Sequence, residues 1–441
     1  MPARMPSTNP SASLFWLALR YGGALVVNFF GGVILLRLLG PEQWGPFAVP
    51  LLLYVSSTEL ATRGFASWLT REPDEWDAES IFALQHAATS LLALLLFLLA
   101  PGDLDLRLAA AAAVYFLGWR AVPLALLERD LAFQRVLFIE LFETVLFTTI
   151  AVGGVWAGYS RLAIASALLL RAALPSALAL HLCPVPVSLL FRRATWRRVR
   201  GFAFANLGNS LLGALSGALA SVFGARFTTP ADLAFVELGF RLYRHALFLT
   251  AAIPRLGLPF YGRQRLTEPD LLPLTRQHLE QLTRLTGLPL ALFAAWSPLW
   301  LPTLFGPAWR QASWTLILFL PGFLLSACCW GIVSSAMLAT LRHRAVLGWN
   351  LAFTLLYAAA TPWLGIAAAW SFANIVLFPW LLQLWFGRVS LPLTARLLGS
   401  WFGGAALFEL VFRGQYPTAL GTTIVLGFVW CWRPHLWKKA Y

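Results

Sequence analysis

Residues 35–48 read LLRLLGPEQWGPFA. Two apolar runs meet at this stretch, one over residues 16–36 and one over 47–69, and each is long enough to cross about 30 Å of hydrocarbon as a helix. The stretch is therefore a short connection between two membrane spans. Outward from it the pattern repeats: apolar runs fall at 81–100, 107–127, 137–157, 162–182 and 202–223. Seven more follow at 233–254, 282–304, 312–338, 346–360, 364–386, 398–412 and 417–432. The reading predicts an all-α, polytopic membrane protein of about fourteen transmembrane helices.

Composition agrees with that. The 441 residues are 59% hydrophobic and 12% charged, with a mean hydropathy of +0.70, far more apolar than a soluble core requires. The net charge of +14 comes almost wholly from arginine, because Lys438 and Lys439 are the only lysines. Twenty basic residues fall in alternate connections that also hold both termini, against five in the others: Arg37, Arg161, Arg226, Arg310 and Arg413. Positive charge is retained inside, so both termini are expected in the cytoplasm. Five of the twenty, Arg192, Arg193, Arg197, Arg198 and Arg200, share one connection, where topology or anionic headgroups account for them. No nucleic-acid partner is needed to explain the charge.

The same cluster interrupts the apolar pattern and predicts a lobe boundary. Residues 1–191 then form an N-terminal lobe of six helices, 192–201 a basic cytoplasmic connection, 202–386 a second lobe, and 387–441 two extra helices. The first apolar segment carries Arg20 and Asn28 and lacks a small-residue cleavage site, so it reads as a retained span. Cys183, Cys328, Cys329 and Cys431 have no metal-ligand spacing and read as reduced packing residues.

LFGPAWRQASWTL (residues 304–316) follows the ninth span as LLGPEQWG follows the first: Gly and Pro, then an aromatic. A looser cousin, VFGARFTTPADLAFVELGFRLYRHAL (residues 222–247), carries Pro230 and then a helix rich in aromatics and arginine. With FVELGFRLYRHALFLTAAIPRLGLPFYG, these stretches make the chain similar to the polysaccharide transporter and O-antigen flippase family of the multidrug/oligosaccharidyl-lipid/polysaccharide exporter superfamily. The resemblance implies twelve to fourteen helices in two lobes around a central cavity. It also implies alternating access and export of an undecaprenyl-diphosphate-linked oligosaccharide, with membrane lipids and polysaccharide polymerase machinery as further partners. The low lysine content and the acidic connection REPDEWDAES (residues 71–80) depart from the commonest pattern and leave the substrate branch open.

Charge inside the spans points to where such a substrate would bind. A charge near mid-bilayer costs at least about 2.5–3.5 kcal/mol, so each should face a partner or a wet cavity. In the second span, Ser56, Glu59, Arg63 and Ser67 follow i, i+3, i+7, i+11 and share a helical face. The eighth carries Glu237, Arg241, Arg244 and His245 on a similar stripe, and the seventh a small, polar face with Asn206 and Asn209. With Arg20 and Asn28, these stripes form the candidate substrate surface, to which Arg171 of the sixth span is added. Arginine neutralises a diphosphate by two-point hydrogen bonds, and amides suit sugar hydroxyls. The bland reading of each is salt bridging, within one helix for Glu59 with Arg63 and Glu237 with Arg241, and between helices for Arg171 with Glu143 of the fifth span. Glu140 and Glu143 read as structural. His86, His181 and His245 could titrate in a proton-coupled cycle, but packing is the plainer reading.

No nucleotide motif, metal constellation or nucleophile arrangement stands in the connections, so neither a cofactor nor catalysis is expected. The alternatives to a flippase are a multidrug or other small-molecule exporter of the same superfamily and, behind it, a membrane-embedded glycan-processing enzyme. Basic stripes disfavour export of cationic drugs.

Overall fold

The computed structural model describes residues 10–63, 65–69, 78–100, 102–130, 132–185, 192–200, 228–246, 270–340 and 342–386, with isolated positions between 208 and 216 and at 261 and 264. Asn206 and Asn209, Cys431, and the last two expected spans lie outside the described residues, as do the side chains of Arg20, Glu59, Arg63 and Arg244. Every regular element among the described residues is helical. The chain forms two compact units, Met1–Glu237 and Leu238–Tyr441. The basic connection thus lies within the first unit.

In the first unit, helix α1 runs from Pro10 to Arg63 with a single non-helical residue, Gly40, at φ 68° and ψ 171°. A left-handed φ suits glycine, and proline suits the first position of the helix that resumes, so Gly40-Pro41 ends one helix and starts another. The contacts show that the chain reverses there. A Cβ at Gly23 would lie 3.9 Å from Leu141, one at Gly31 would run into Thr148, and Tyr54 comes back to bond Glu143 at 3.4 Å. Two expected spans are therefore two arms joined through one residue. After α1 come a 3-10 turn at Phe65–Trp68, α2 at Ala78–Leu99, α3 at Leu104–Arg129, α4 at Phe133–Trp156 and α5 at Ser160–Leu182. Their bounds follow the apolar runs. One expectation is corrected: the second α-helix stops at Arg63, so Ser67 falls in the 3-10 turn and leaves the i, i+11 stripe.

Helix α4 packs on α5 and α1, and α3 packs on α5, α2 and α1. Arg107 donates to the Phe97 carbonyl at the end of α2, with Nε at 3.1 Å. Helix α6, Pro230–Ala246, begins with a reciprocal cap in which Asp232 N–H donates to Thr229 Oγ1 at 3.2 Å and Thr229 N–H donates to Asp232 Oδ2 at 3.3 Å. Its residues to Glu237 belong to the first unit and the rest to the second.

The second unit continues with α7 at Leu272–Ala295, α8 at Ser297–Phe305, α9 at Ala312–Ser326, a π-helical segment at Ala327–Val333, and α10 at Ser334–Ala339. Helices α11 at His343–Leu364 and α12 at Ile366–Phe386 follow. The ninth expected span differs most. Its helix starts at Leu272, ahead of the apolar run, because TRQHLEQLTR is itself helix-forming. Gly306, at φ 105° and ψ 162°, repeats the Gly40 arrangement before Pro307, so the sequence repeat is a repeat of backbone geometry. Among the described residues, eight helical runs are long and apolar enough to cross a membrane, and the first of them doubles back at Gly40. The chain is a multi-pass, all-α membrane protein.

Candidate functional site

The first unit encloses an ion cluster near the middle of three helices. Glu143 of α4 is 7% exposed. Its Oε2 accepts from Arg120 Nη1 of α3 at 2.5 Å, and its Oε1 accepts from Arg171 Nη2 of α5 at 2.9 Å and Arg171 Nε at 3.2 Å. Tyr54 Oη, from the second arm of α1, donates to the same oxygen at 3.4 Å. The Arg171 guanidinium lies 5.0 Å from the Tyr54 ring centroid and 4.7 Å from that of Phe147. Four helical segments are thus tied to one carboxylate, in surroundings where an uncompensated charge would be costly. The pairing of Arg171 with Glu143 is the one the sequence offered as the bland alternative. Arg120 and Tyr54 were not anticipated as its neighbours.

A second arrangement uses the opening stretch of sequence. Trp44, fully buried, donates Nε1–H to Glu237 Oε2 of α6 at 3.0 Å, and Glu237 is 3% exposed. Beside it, a Cβ at Gly45 would run into the Pro230 carbonyl, so only glycine lets the start of α6 come this close. LLGPEQWG and its looser cousin therefore meet: Pro230 lies on Gly45 and Glu237 on Trp44. Arg241 and His245 lie one and two turns beyond Glu237 on α6, both half-buried. Asn28, on the first arm of α1, is also half-buried. Sequence reasoning missed Trp44 as a partner of Glu237, although its place in the repeated Gly-Pro-aromatic pattern was the available signal.

The second unit has a different interior. Trp370 of α12 is ringed by Phe240, Phe353 and Tyr357, with centroids 5.4, 5.1 and 5.4 Å away, and Phe323 stacks at 5.8 Å. Tyr243 stacks on Phe323 at 4.6 Å and donates its hydroxyl to the Leu316 carbonyl at 2.5 Å. Asn350, Thr354, Tyr357 and Thr361 form a buried polar stripe on α11.

The sequence of residues 34–314 matches the family described as polysaccharide biosynthesis protein. The chain belongs to this family. No curated protein sequence matches it. Among solved structures, its fold is similar to the lipid II flippase MurJ in an inward closed conformation, with TM-score 0.67 and 12% identity over 94% of this chain and 96% of that one. It is also similar to a multidrug resistance MATE family transporter of the MOP superfamily in two states. The inward-facing form gives TM-score 0.61 and 13% identity over 84% of this chain and 96% of that one. The outward-facing form gives 0.55 and 13% over 87% and 96%. The fold is that of MOP-superfamily transporters.

Proposed function

We propose that this protein is a flippase that moves an undecaprenyl-diphosphate-linked oligosaccharide from the cytoplasmic to the periplasmic leaflet of the bacterial inner membrane by alternating access. The observation that carries the reading is membership of a polysaccharide biosynthesis family by a chain with a membrane transporter's fold. A protein of that kind has to bring a lipid-linked sugar past the bilayer before the sugar can be polymerised outside, so polymerase machinery is a further partner. Both termini lie in the cytoplasm, and residues 192–201 divide six N-terminal spans from the rest. The substrate surface comprises Arg20, Asn28, Glu59, Arg63, Asn206, Asn209, Glu237, Arg241, Arg244 and Arg171. Of these, Arg171 also braces Glu143, so its loss mixes structural and binding effects.

The chemistry follows from charge. A lipid diphosphate crossing hydrocarbon without compensation meets a prohibitive solvation barrier, and arginine supplies compensation without titrating. Arg63→Ala and Arg241→Ala should abolish surface polysaccharide with protein still in the membrane, Arg→Lys should keep partial activity, and Glu140→Ala should do less. Normal polysaccharide from the alanine variants at normal protein levels would mean that these arginines do not carry substrate. The second reading, small-molecule export, is favoured by the likeness to the multidrug transporter. Drug sensitivity of a deletion strain with unchanged polysaccharide would select it.

A further inference from the structure

A groove of about 440 Å³ opens on the first unit, lined by Gln134, Arg135, Leu137, Phe138, Leu141 and Leu182. It joins the first turns of α4 to the last residue of α5. Both are ends of apolar helices, which places that end of the groove at the level where lipid headgroups meet hydrocarbon. The lining changes character with depth along α4: Gln134 and Arg135 come first, then Leu137, Phe138 and Leu141. Phe138 is 58% exposed, so this wall faces the surroundings of the unit. Among the described residues, no carboxylate lines the groove.

Arg135 is exposed, and its side chain makes a long 3.4 Å bond from Nη1 to the Leu182 carbonyl, which leaves most of its donors for a ligand. Asp130, just ahead of α4, is balanced by its ion pair with Arg129. Residue Ala132 gives α4 no side-chain cap, and the first turn holds no acidic residue. Residues 193–200, at the same end of the unit, form a helix that buries Thr195 and Val199 and exposes Arg193, Arg197 and Arg200. It is fastened to the start of α2 by Arg192 N–H donating to Ser80 Oγ at 3.3 Å.

A cationic rim over an apolar floor at headgroup level has one complement, an anionic amphiphile. We propose that the groove binds one anionic phospholipid of the surrounding bilayer, its phosphate on Arg135 and an acyl chain along Leu137, Phe138 and Leu141. The proposal does not depend on the transport reading, and among the described residues that line the groove none belongs to the substrate surface named there.

Native mass spectrometry of the full chain, delipidated in detergent and titrated with phosphatidylglycerol or with phosphatidylcholine of the same chains, tests it. Wild type should retain one phosphatidylglycerol that phosphatidylcholine does not replace. Arg135→Gln and Gln134→Glu should each weaken that retention about fivefold or more, the worth of one charge at a membrane surface. Both residues are exposed, so the thermal midpoints should stay unchanged, and Phe138→Ala should weaken retention without altering the preference for the anionic lipid. Equal retention by wild type and Arg135→Gln would overturn the proposal, as would equal retention of the two lipids. Displacement of phosphatidylglycerol by undecaprenyl diphosphate at equal concentration would overturn it too, in favour of a groove for the substrate's prenyl chain.

Discussion

Between α3, α4 and α5 the first unit buries two guanidiniums around one carboxylate, whereas between α6, α9, α11 and α12 the second unit buries a column of rings around Trp370. Both solutions answer the same difficulty. In lipid, apolar side chains gain little by leaving their surroundings for a protein interior, so helices are held by close packing and by polar contacts. The ion cluster is directional: each guanidinium meets one face of Glu143, which fixes α3 and α5 against α4 in a single arrangement. Ring packing depends on filled volume and tolerates modest changes of angle. The first unit is therefore pinned at a point, and the second is wedged along a length.

The comparison breaks first at Glu143. Glu143→Gln leaves two buried guanidiniums without their anion and should cost about 3–5 kcal/mol, read as a fall in thermal midpoint or loss of folded protein in detergent. Replacing all three charges together, as Arg120→Met with Glu143→Leu and Arg171→Met, should restore most of that stability, because the desolvation penalty goes with the charges. A triple variant as unstable as Glu143→Gln would show that the cluster contributes through its charge itself. In the second unit, Trp370→Ala should cost about 3 kcal/mol through the cavity it leaves and Trp370→Phe distinctly less, measured in the same way. If Phe were as damaging as Ala, ring volume would not be what holds α12.

Smaller effects sharpen the contrast. Trp44→Phe keeps an aromatic ring but removes the indole N–H that bonds the buried Glu237 carboxylate, and about 1–3 kcal/mol of destabilisation is expected. Restoration by Glu237→Gln in the same chain would show that the lost bond matters through the charge of the carboxylate. The smallest effect concerns His278, which lies ahead of the apolar part of α7 and meets Tyr261 Oη at 2.7 Å. Burial lowers its pKa, so the folded state favours neutral imidazole. The unfolded chain then binds the proton more readily, and stability should fall as pH drops below about 6.5. His278→Gln should flatten that decline, as followed by midpoints taken from pH 8 to pH 5.

Much of this fold was legible in the sequence, for identifiable reasons. The bounds of α2 to α5 followed from apolar runs with polar residues at both ends, a signal carried by composition alone. The Gly-Pro-aromatic repeat was legible because its first two residues act locally. Glycine takes the left-handed φ at Gly40 and Gly306, and proline opens the next helix. Arg171 with Glu143 was available as a pairing because few carboxylates lie deep in the chain. Arg120, Tyr54 and Trp44 were not available as partners. Tyr54 lies 89 residues from Glu143 and Trp44 lies 193 from Glu237, and no local rule sets which of several helices will come alongside. The bland reading paired Glu237 with Arg241 on its own helix, where spacing is regular, whereas the bond from Trp44 comes from a segment 193 residues away.

The one-residue turn at Gly40 also bears on how the chain enters the membrane. With a single non-helical residue between the arms of α1, there is no loop that could be passed across the bilayer by itself while one arm waits outside. An arm left behind would hold an apolar helix in water, joined to a partner already in lipid. The first two spans are therefore expected to enter the bilayer together, as a hairpin against which α4 packs.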